Sequence, residues 1–193
     1  EEKNKYLSLG ILENIFENNL KSKKLSEMSI LITKGTTPTS IGRTFTEKGI
    51  NFIKVESIIE NGVIDPKKFS FIDHDTHSAL QRSQILRGDI LFAIAGTIGK
   101  LVLAKEEILP ANTNQALAII RVHKEMLRPQ FLYHWLKGRI IKNILDKNQT
   151  IGAQPNVSLS QIGEFPVPSI SLEIQDQIYQ RLDSIDQVTS SIR

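Results

Sequence analysis

The stretch that most constrains the fold of this chain runs from Gly88 to Gln115, GDILFAIAGTIGKLVLAKEEILPANTNQ. Two apolar runs, Ile90 to Ala95 and Ile98 to Ala104, flank the dipeptide Gly96-Thr97. Runs of strand length separated by two turn-forming residues predict a tight β-hairpin between half-buried or buried strands. The polar segment Asn112-Thr113-Asn114-Gln115 follows and leads into a third expected strand, Ala116 to Val122. A row of amides and hydroxyls is therefore expected at the edge of a rigid sheet, which is how a recognition surface is built.

A chain of 193 residues with 40% apolar content can bury one good core with helical appendages, but not two full domains. The absence of cysteine excludes a disulfide framework, a thiolate metal site and a thiol nucleophile, and it suits a reducing cytoplasm. No apolar run approaches the roughly 20 residues that cross a bilayer, and no charged-then-apolar leader is visible. A soluble cytoplasmic protein with no membrane partner is expected. The formal net charge is only +3, but residues 35–170 carry 16 basic against 12 acidic side chains while residues 171–193 carry 2 against 4. A moderately basic body favours a polyanionic partner.

Taken in order, residues 6–20 place Leu9, Leu12, Ile15, Phe16 and Leu20 on one face of a helix. Lys21 to Lys24 is expected as a solvated link, Leu25 to Met28 as a helical turn and Ser29 to Thr33 as a strand. Lys34-Gly35-Thr36-Thr37-Pro38-Thr39-Ser40-Ile41-Gly42-Arg43 then forms a loop of small hydroxyl residues with a cation at each end, suited to close approach to phosphate. Ile50 to Val55 reads as a strand, and the Asp73-His74-Asp75-Thr76-His77 cluster as an exposed helix start. A metal at His74 and His77 lacks an apparent third ligand. Arg128-Pro129 opens a helix from Phe131 to about Asp146, with Trp135 in its buried stripe. A second amide-rich loop spans Gln149 to Ser158 and includes Gln154 and Asn156. Leu159 to Ile162 is expected as a helical turn and Phe165 to Pro168 as an extended edge. The last helix starts at Ser171 and carries a heptad seam of Ile178, Ile185 and Ile192 with Ile174 and Val188 between them.

Catalytic patterns are missing. There is neither a Walker loop nor a dinucleotide fingerprint, and Gly96-Thr97-Ile98-Gly99-Lys100 lacks the leading glycine and spacing of a phosphate loop. A methyltransferase's cofactor loop and its Asn/Asp-Pro-Pro-aromatic motif are likewise absent. Glu56 with Asp65-Pro66-Lys67 fits a metal-dependent nuclease only loosely. No catalytic residue, metal or cofactor is therefore assigned. Asn and Gln pair with adenine's major-groove edge and Arg or Lys with guanine's, so amide-rich loops on a basic scaffold suit base reading. The candidate DNA contacts are Lys34, Thr36, Thr37, Thr39, Ser40, Arg43, Lys54, Thr97, Lys100, Asn112, Thr113, Asn114, Gln115, Gln154 and Asn156. The candidate helix-packing residues are Leu12, Ile15, Phe16, Ile174, Ile178, Ile185 and Ile192.

The ordered set Gly35-Thr36-Thr37-Pro38, Gly88-Asp89-Ile90-Leu91, Gly96-Thr97-Ile98-Gly99, Pro110 to Gln115, the Phe131 to Leu136 helix start, and Phe165 to Pro168 with Glu173 to Ile178 resembles the specificity subunit of type I restriction-modification systems. The resemblance covers nearly the whole chain. It implies an α+β fold: one target-recognition domain over residues 25–170 with a twisted, mainly antiparallel sheet and packed helices. A spacer-like helix in residues 1–24 and a truncated spacer helix in residues 171–193 would flank it, both coiled-coil-like. It further implies a non-catalytic reader of half of a split double-stranded DNA sequence. The implied partners are modification (methyltransferase) subunits that bind S-adenosylmethionine and methylate a flipped adenine, a restriction subunit that cleaves, and a second copy or second recognition domain. The chain is then a half-subunit or a fragment; the competing readings are the recognition domain of a fused restriction-methylation enzyme, a small nuclease, or a scaffold that binds protein through its terminal helices.

Overall fold

The computed structural model of the protein describes residues 21–59, 62–147 and 156–191. Along them run β1 (Ser22–Lys24), β2 (Ser29–Lys34), β3 (Ile50–Ile53), β4 (Ser70–Ile72), α1 (His74–Ala79), β5 (Gln84–Ile85), β6 (Ile90–Ala93), β7 (Leu101–Leu103), β8 (Ala111–Thr113), β9 (Leu117–Val122), α2 (Pro129–Lys137), α3 (Arg139–Lys147), α4 (Leu159–Gly163), β10 (Pro166–Pro168) and α5 (Leu172–Ser191). One sheet has the order β2-β9-β6-β7, with every pair antiparallel. A second has the order β4-β3-β8-β5, in which β3 and β8 are parallel and the other pairs antiparallel. β1 and β10 form a two-stranded ribbon. The expected α+β, mainly antiparallel architecture holds, divided over two four-stranded sheets.

The reason that Ile90 to Ala93 is apolar at every position is that both faces of β6 are covered. Ile90 and Phe92, with Ala118 and Ile120 of β9, pack against Phe131, Leu132, Trp135 and Phe165 on the helical side. Leu91 and Ala93, with Leu117 and Ile119, pack against Ile53, Ile85 and Ala111 of the second sheet. The layers are thus helices, first sheet and second sheet. Trp135 is core, as expected, and its Nε1 donates to the Pro166 carbonyl at 2.7 Å. The turn into β6 is held by Asp89, which is 1% exposed. Its carboxylate accepts Nε and Nη2 of Arg121 at 2.8 and 2.7 Å and the N–H of Leu86 at 2.8 Å. A buried charge needs this degree of satisfaction. The bonds to Asp89 raise the Arg121 guanidinium above its ordinary pKa.

Several expectations are corrected. β6 and β7 pair antiparallel from Ile90↔Leu103 to Phe92↔Leu101, but residues 94–100 connect them, not the dipeptide Gly96-Thr97. Ile94 leaves that ladder because its backbone is used elsewhere: its N–H donates to Ala116 at 2.9 Å and its carbonyl accepts from Val157 at 3.0 Å. Gly96 and Gly99 turn the loop in the left-handed region, at φ 73° and 85°. The segment expected to be one helix from Phe131 is two, α2 and α3, broken at Gly138, whose ψ of 160° is extended. Lys21 to Lys24 is exposed but not a free link, since Ser22–Lys24 pairs with Pro166–Pro168.

The C-terminal seam is corrected at its intermediate position. α5 packs along α2 through Gln175, Ile178 and Leu182, all buried, with Ile185 half-buried. Ile174 lies off that side and is 45% exposed. The stripe turned toward the body keeps Ile178 and Ile185 of the expected seam, but its intermediate position is taken by Gln175 and Leu182 and not by Ile174. Leu12, Ile15, Phe16 and Ile192 lie outside the described residues.

Candidate nucleic-acid interface

Alternating strand direction carries Lys34 at the end of β2, Leu117 at the start of β9, Ala93 at the end of β6 and Leu101 at the start of β7 to one end of the first sheet. β8 runs to that same end before residues 114–116 turn it into β9, and β3, parallel to β8, delivers Lys54 there. Loops distant in sequence are then tied together by backbone bonds. Thr36 N–H donates to the Thr113 carbonyl at 3.0 Å, and Gly35 N–H to Leu117 at 3.3 Å. A Cβ at position 35 would sit 2.1 Å from the Thr113 oxygen, so only glycine lets the first loop approach β8 this closely. The Thr37 hydroxyl donates to Oε1 of Gln115. On the other side, Ile94 bonds Ala116 and Val157, and Ala95 bridges to Asn156. The result is one continuous rim built from residues near 36, 95, 115 and 156.

On and beside this rim Lys34, Thr39, Ser40, Arg43, Thr97, Gln115 and Asn156 are exposed, and Thr36, Thr37 and Asn114 are half-buried. Asn114 also shapes the turn, its Oδ1 accepting from Ala116 N–H at 3.1 Å. Lys54 and Lys100 are half-buried and engaged. The Lys54 ammonium lies 4.7 Å from the centroid of the Phe45 ring, and Lys100 Nζ donates to the Ile58 carbonyl at 3.0 Å. Lys100 therefore ties the 94–100 loop to the second sheet's side and is no phosphate-loop lysine. Gln154 lies outside the described residues.

Asn112 and Thr113 are corrections: both are 0% exposed and face inward. Nδ2 of Asn112 donates to the Leu80 carbonyl at 3.1 Å and to Ser83 Oγ at 3.3 Å, so its Oδ1 accepts from Nδ1 of His77. One amide thereby fastens α1 and the turn after it onto β8. Thr113 donates to the Ile53 carbonyl at 2.7 Å. Neither can meet a base edge with the sheet intact. The Asp73–His77 cluster is likewise structural. Asp73 caps α1 by accepting from Thr76 N–H at 2.6 Å, a bond that lowers its carboxyl below the ordinary value. Asp65 accepts from Lys67 N–H at 3.0 Å, which accounts for the loose nuclease-like pattern as a turn. Among the described residues no group of three or more His, Cys, Asp or Glu could hold a metal ion.

Two rim neighbours were not among the sequence candidates. Arg82 is exposed and its Nη2 bonds Thr33 Oγ1 at 3.3 Å, adding a guanidinium beside the strand end that carries Lys34. Phe45, 36% exposed, stands edge-on to the buried Phe52 with ring centroids 5.1 Å apart. Neither carries a local signal, because each reaches the rim through a long-range contact. Chemically the rim offers cations for phosphates and exposed amides and hydroxyls for base edges.

The family described as type I restriction modification DNA specificity domain matches residues 17–193. The type I restriction enzyme EcoBI specificity subunit of Escherichia coli is 29% identical over 146 residues, covering 75% of this chain and 30% of that protein. The crystal structure of an HsdS subunit from Thermoanaerobacter tengcongensis superposes with a TM-score of 0.68 at 18% identity, over 89% of this chain and 43% of that one. The S subunit of a type I restriction-modification system from M. genitalium gives a TM-score of 0.65 at 16% identity, over 98% and 49%. The chain spans less than half the length of each of these proteins.

Proposed function

This chain belongs to the type I restriction modification DNA specificity family, and on that premise we propose that its loop rim reads one half of a split double-stranded DNA target. The observation that carries this reading is the convergence of Lys34, Thr39, Ser40, Arg43, Thr97, Gln115 and Asn156, from four separate segments, on one end of the two sheets. Lys34, Arg43 and Arg82 neutralise phosphates and set the docking pose. Gln115, steadied through its oxygen by Thr37, and Asn156 present amides to base edges. The rim holds no group assigned to bond making or breaking. Adenine methylation then falls to modification subunits that hold S-adenosylmethionine, and cleavage to a restriction subunit, both directed by the sequence that this chain selects. α5 is the spacer toward a second recognition unit, and the whole assembles in the cytoplasm.

The test is made in the assembled methyltransferase, where both half-sites contribute. Gln115→Ala and Asn156→Ala are each expected to cost about 1–3 kcal/mol on cognate DNA and little on random duplex. Equal losses on both kinds of DNA would place these amides on the backbone and not on bases. The isolated chain incubated with plasmid and magnesium is expected to leave the plasmid intact; turnover would favour the nuclease alternative.

A further inference from the structure

The stripe that α5 turns toward the body contains one polar residue among apolar ones. Gln175 is 0% exposed, at the position that opens the series continued by Ile178, Leu182 and Ile185. Every hydrogen-bonding direction that it uses is directed at backbone: Oε1 accepts from Arg128 N–H at 2.8 Å, and Nε2 donates to the carbonyls of Met126 and Ile170, both at 3.0 Å. Arg128 and Met126 belong to the body at the entry to α2. Three polar rungs follow up the two helices: ion pairs of Arg128 with Asp176 at 2.9 Å and of Lys137 with Asp186 at 3.1 Å, and between them the hydrogen bond of His134 to Asp183 at 2.7 Å.

An apolar side chain at position 175 would fill the same space but leave two body backbone groups unpaired, and sliding α5 by one turn would do the same. The apolar part of the stripe does not resist such sliding, since Ile178 and Leu182 exchange for residues of similar size. A polar residue in an apolar seam is a device for register. We propose that Gln175 is the register key that fixes where α5 leaves the recognition body, with Asp176 and Asp183 as the supporting rungs. Resting on the half-target reading above, the consequence is that Gln175 is a positioning residue for the half-site separation that the assembled complex accepts, although it lies on the helical side and not on the rim.

The absence of native cysteine makes a distance measurement direct. Spin labels at exposed Lys142→Cys on α3 and Gln180→Cys on α5 are expected to give one narrow distance distribution. Adding Gln175→Leu is expected to broaden it or add a population displaced by about one helical turn, ~5 Å. A single unchanged distance in a folded Gln175→Leu protein overturns the proposal. Should that variant fail to fold, Gln175→Glu, which keeps the acceptor for Arg128 and removes the donor to Met126, replaces it, and an unchanged distance overturns the proposal equally. In the assembled complex, duplexes with the half-target separation lengthened or shortened by one base pair are expected to bind the Gln175→Leu complex at least tenfold better than the unsubstituted one. The ranking of base changes within this half should stay unaltered. Spacing as sharp as in the unsubstituted complex overturns the DNA consequence. If the unsubstituted complex prefers no split target, the half-target reading fails while the distance result still decides the register key.

Discussion

At the scale of the residue, Asn112 and Gln115 separate two roles that three positions of sequence hold together. Asn112 lies on a three-residue strand beneath α1 and spends its amide on Leu80, Ser83 and His77, whereas Gln115 lies past the strand end and is exposed. Asn112→Ala is therefore expected to lower folding stability by about 1–3 kcal/mol, because it removes three hydrogen bonds and strips His77 Nδ1 of its partner, while the Leu80 carbonyl and Ser83 Oγ keep their bond to each other. Gln115→Ala should stay within about 0.5 kcal/mol. Denaturant midpoints at constant m-value measure both, and equal values would mean that Asn112 is not the fastening. The sequence could show that this segment is polar but not which way it faces. β8 is too short for alternation to declare itself, and the partners Leu80 and His77 are some thirty residues away.

At the scale of the element, the pairing of α5 with α2 is governed by groups that the heptad of isoleucines does not reveal. His134 is 6% exposed and is faced by Asp183 and Asp186 from α5 and by Tyr133 and Lys137 from its own helix. Burial lowers the imidazole below its ordinary value near 6.5, a shift opposed by the bond to Asp183 and reinforced by the charge of Lys137. The folded protein thus takes up this proton less readily than the unfolded chain. The stabilisation is complete above pH 6.5 and is lost as pH falls from there to the lower folded value, below which both states are protonated. Unfolding measured between pH 8 and 5 is expected to show stability falling with pH across that window, with His134→Asn flattening the slope. A slope that survives the substitution would assign the dependence to another group. The helix and the Ile178 and Ile185 positions of its buried side were legible from its period, but the intermediate position was not. Ile174 and Gln175 are neighbours, and only packing decided that the amide is buried and the isoleucine 45% exposed.

At the scale of the whole molecule, the layering was legible where burial acts on consecutive residues and illegible where it depends on distant ones. β6 declares itself through four apolar residues in a row because both of its faces are covered, while β5 and β8 have too few residues to do so. The convergence of the loops on one end was legible only as an expectation, since it follows from strand directions that pairing alone fixes. Salt dependence tests the electrostatic part of that arrangement and distinguishes two lysines that sequence treats alike. Lys34 is exposed at the strand end, so in the assembled complex Lys34→Ala is expected to weaken binding to all sequences similarly and to flatten the slope of log affinity against log salt by about 0.9, one phosphate contact. Lys100 is committed to the Ile58 carbonyl. Its replacement by alanine should leave the slope nearly unchanged and appear instead as a loss of stability of about 1 kcal/mol. The reverse pattern, a flattened slope from Lys100 and none from Lys34, would move the phosphate path from the β2 end of the rim to the 94–100 loop.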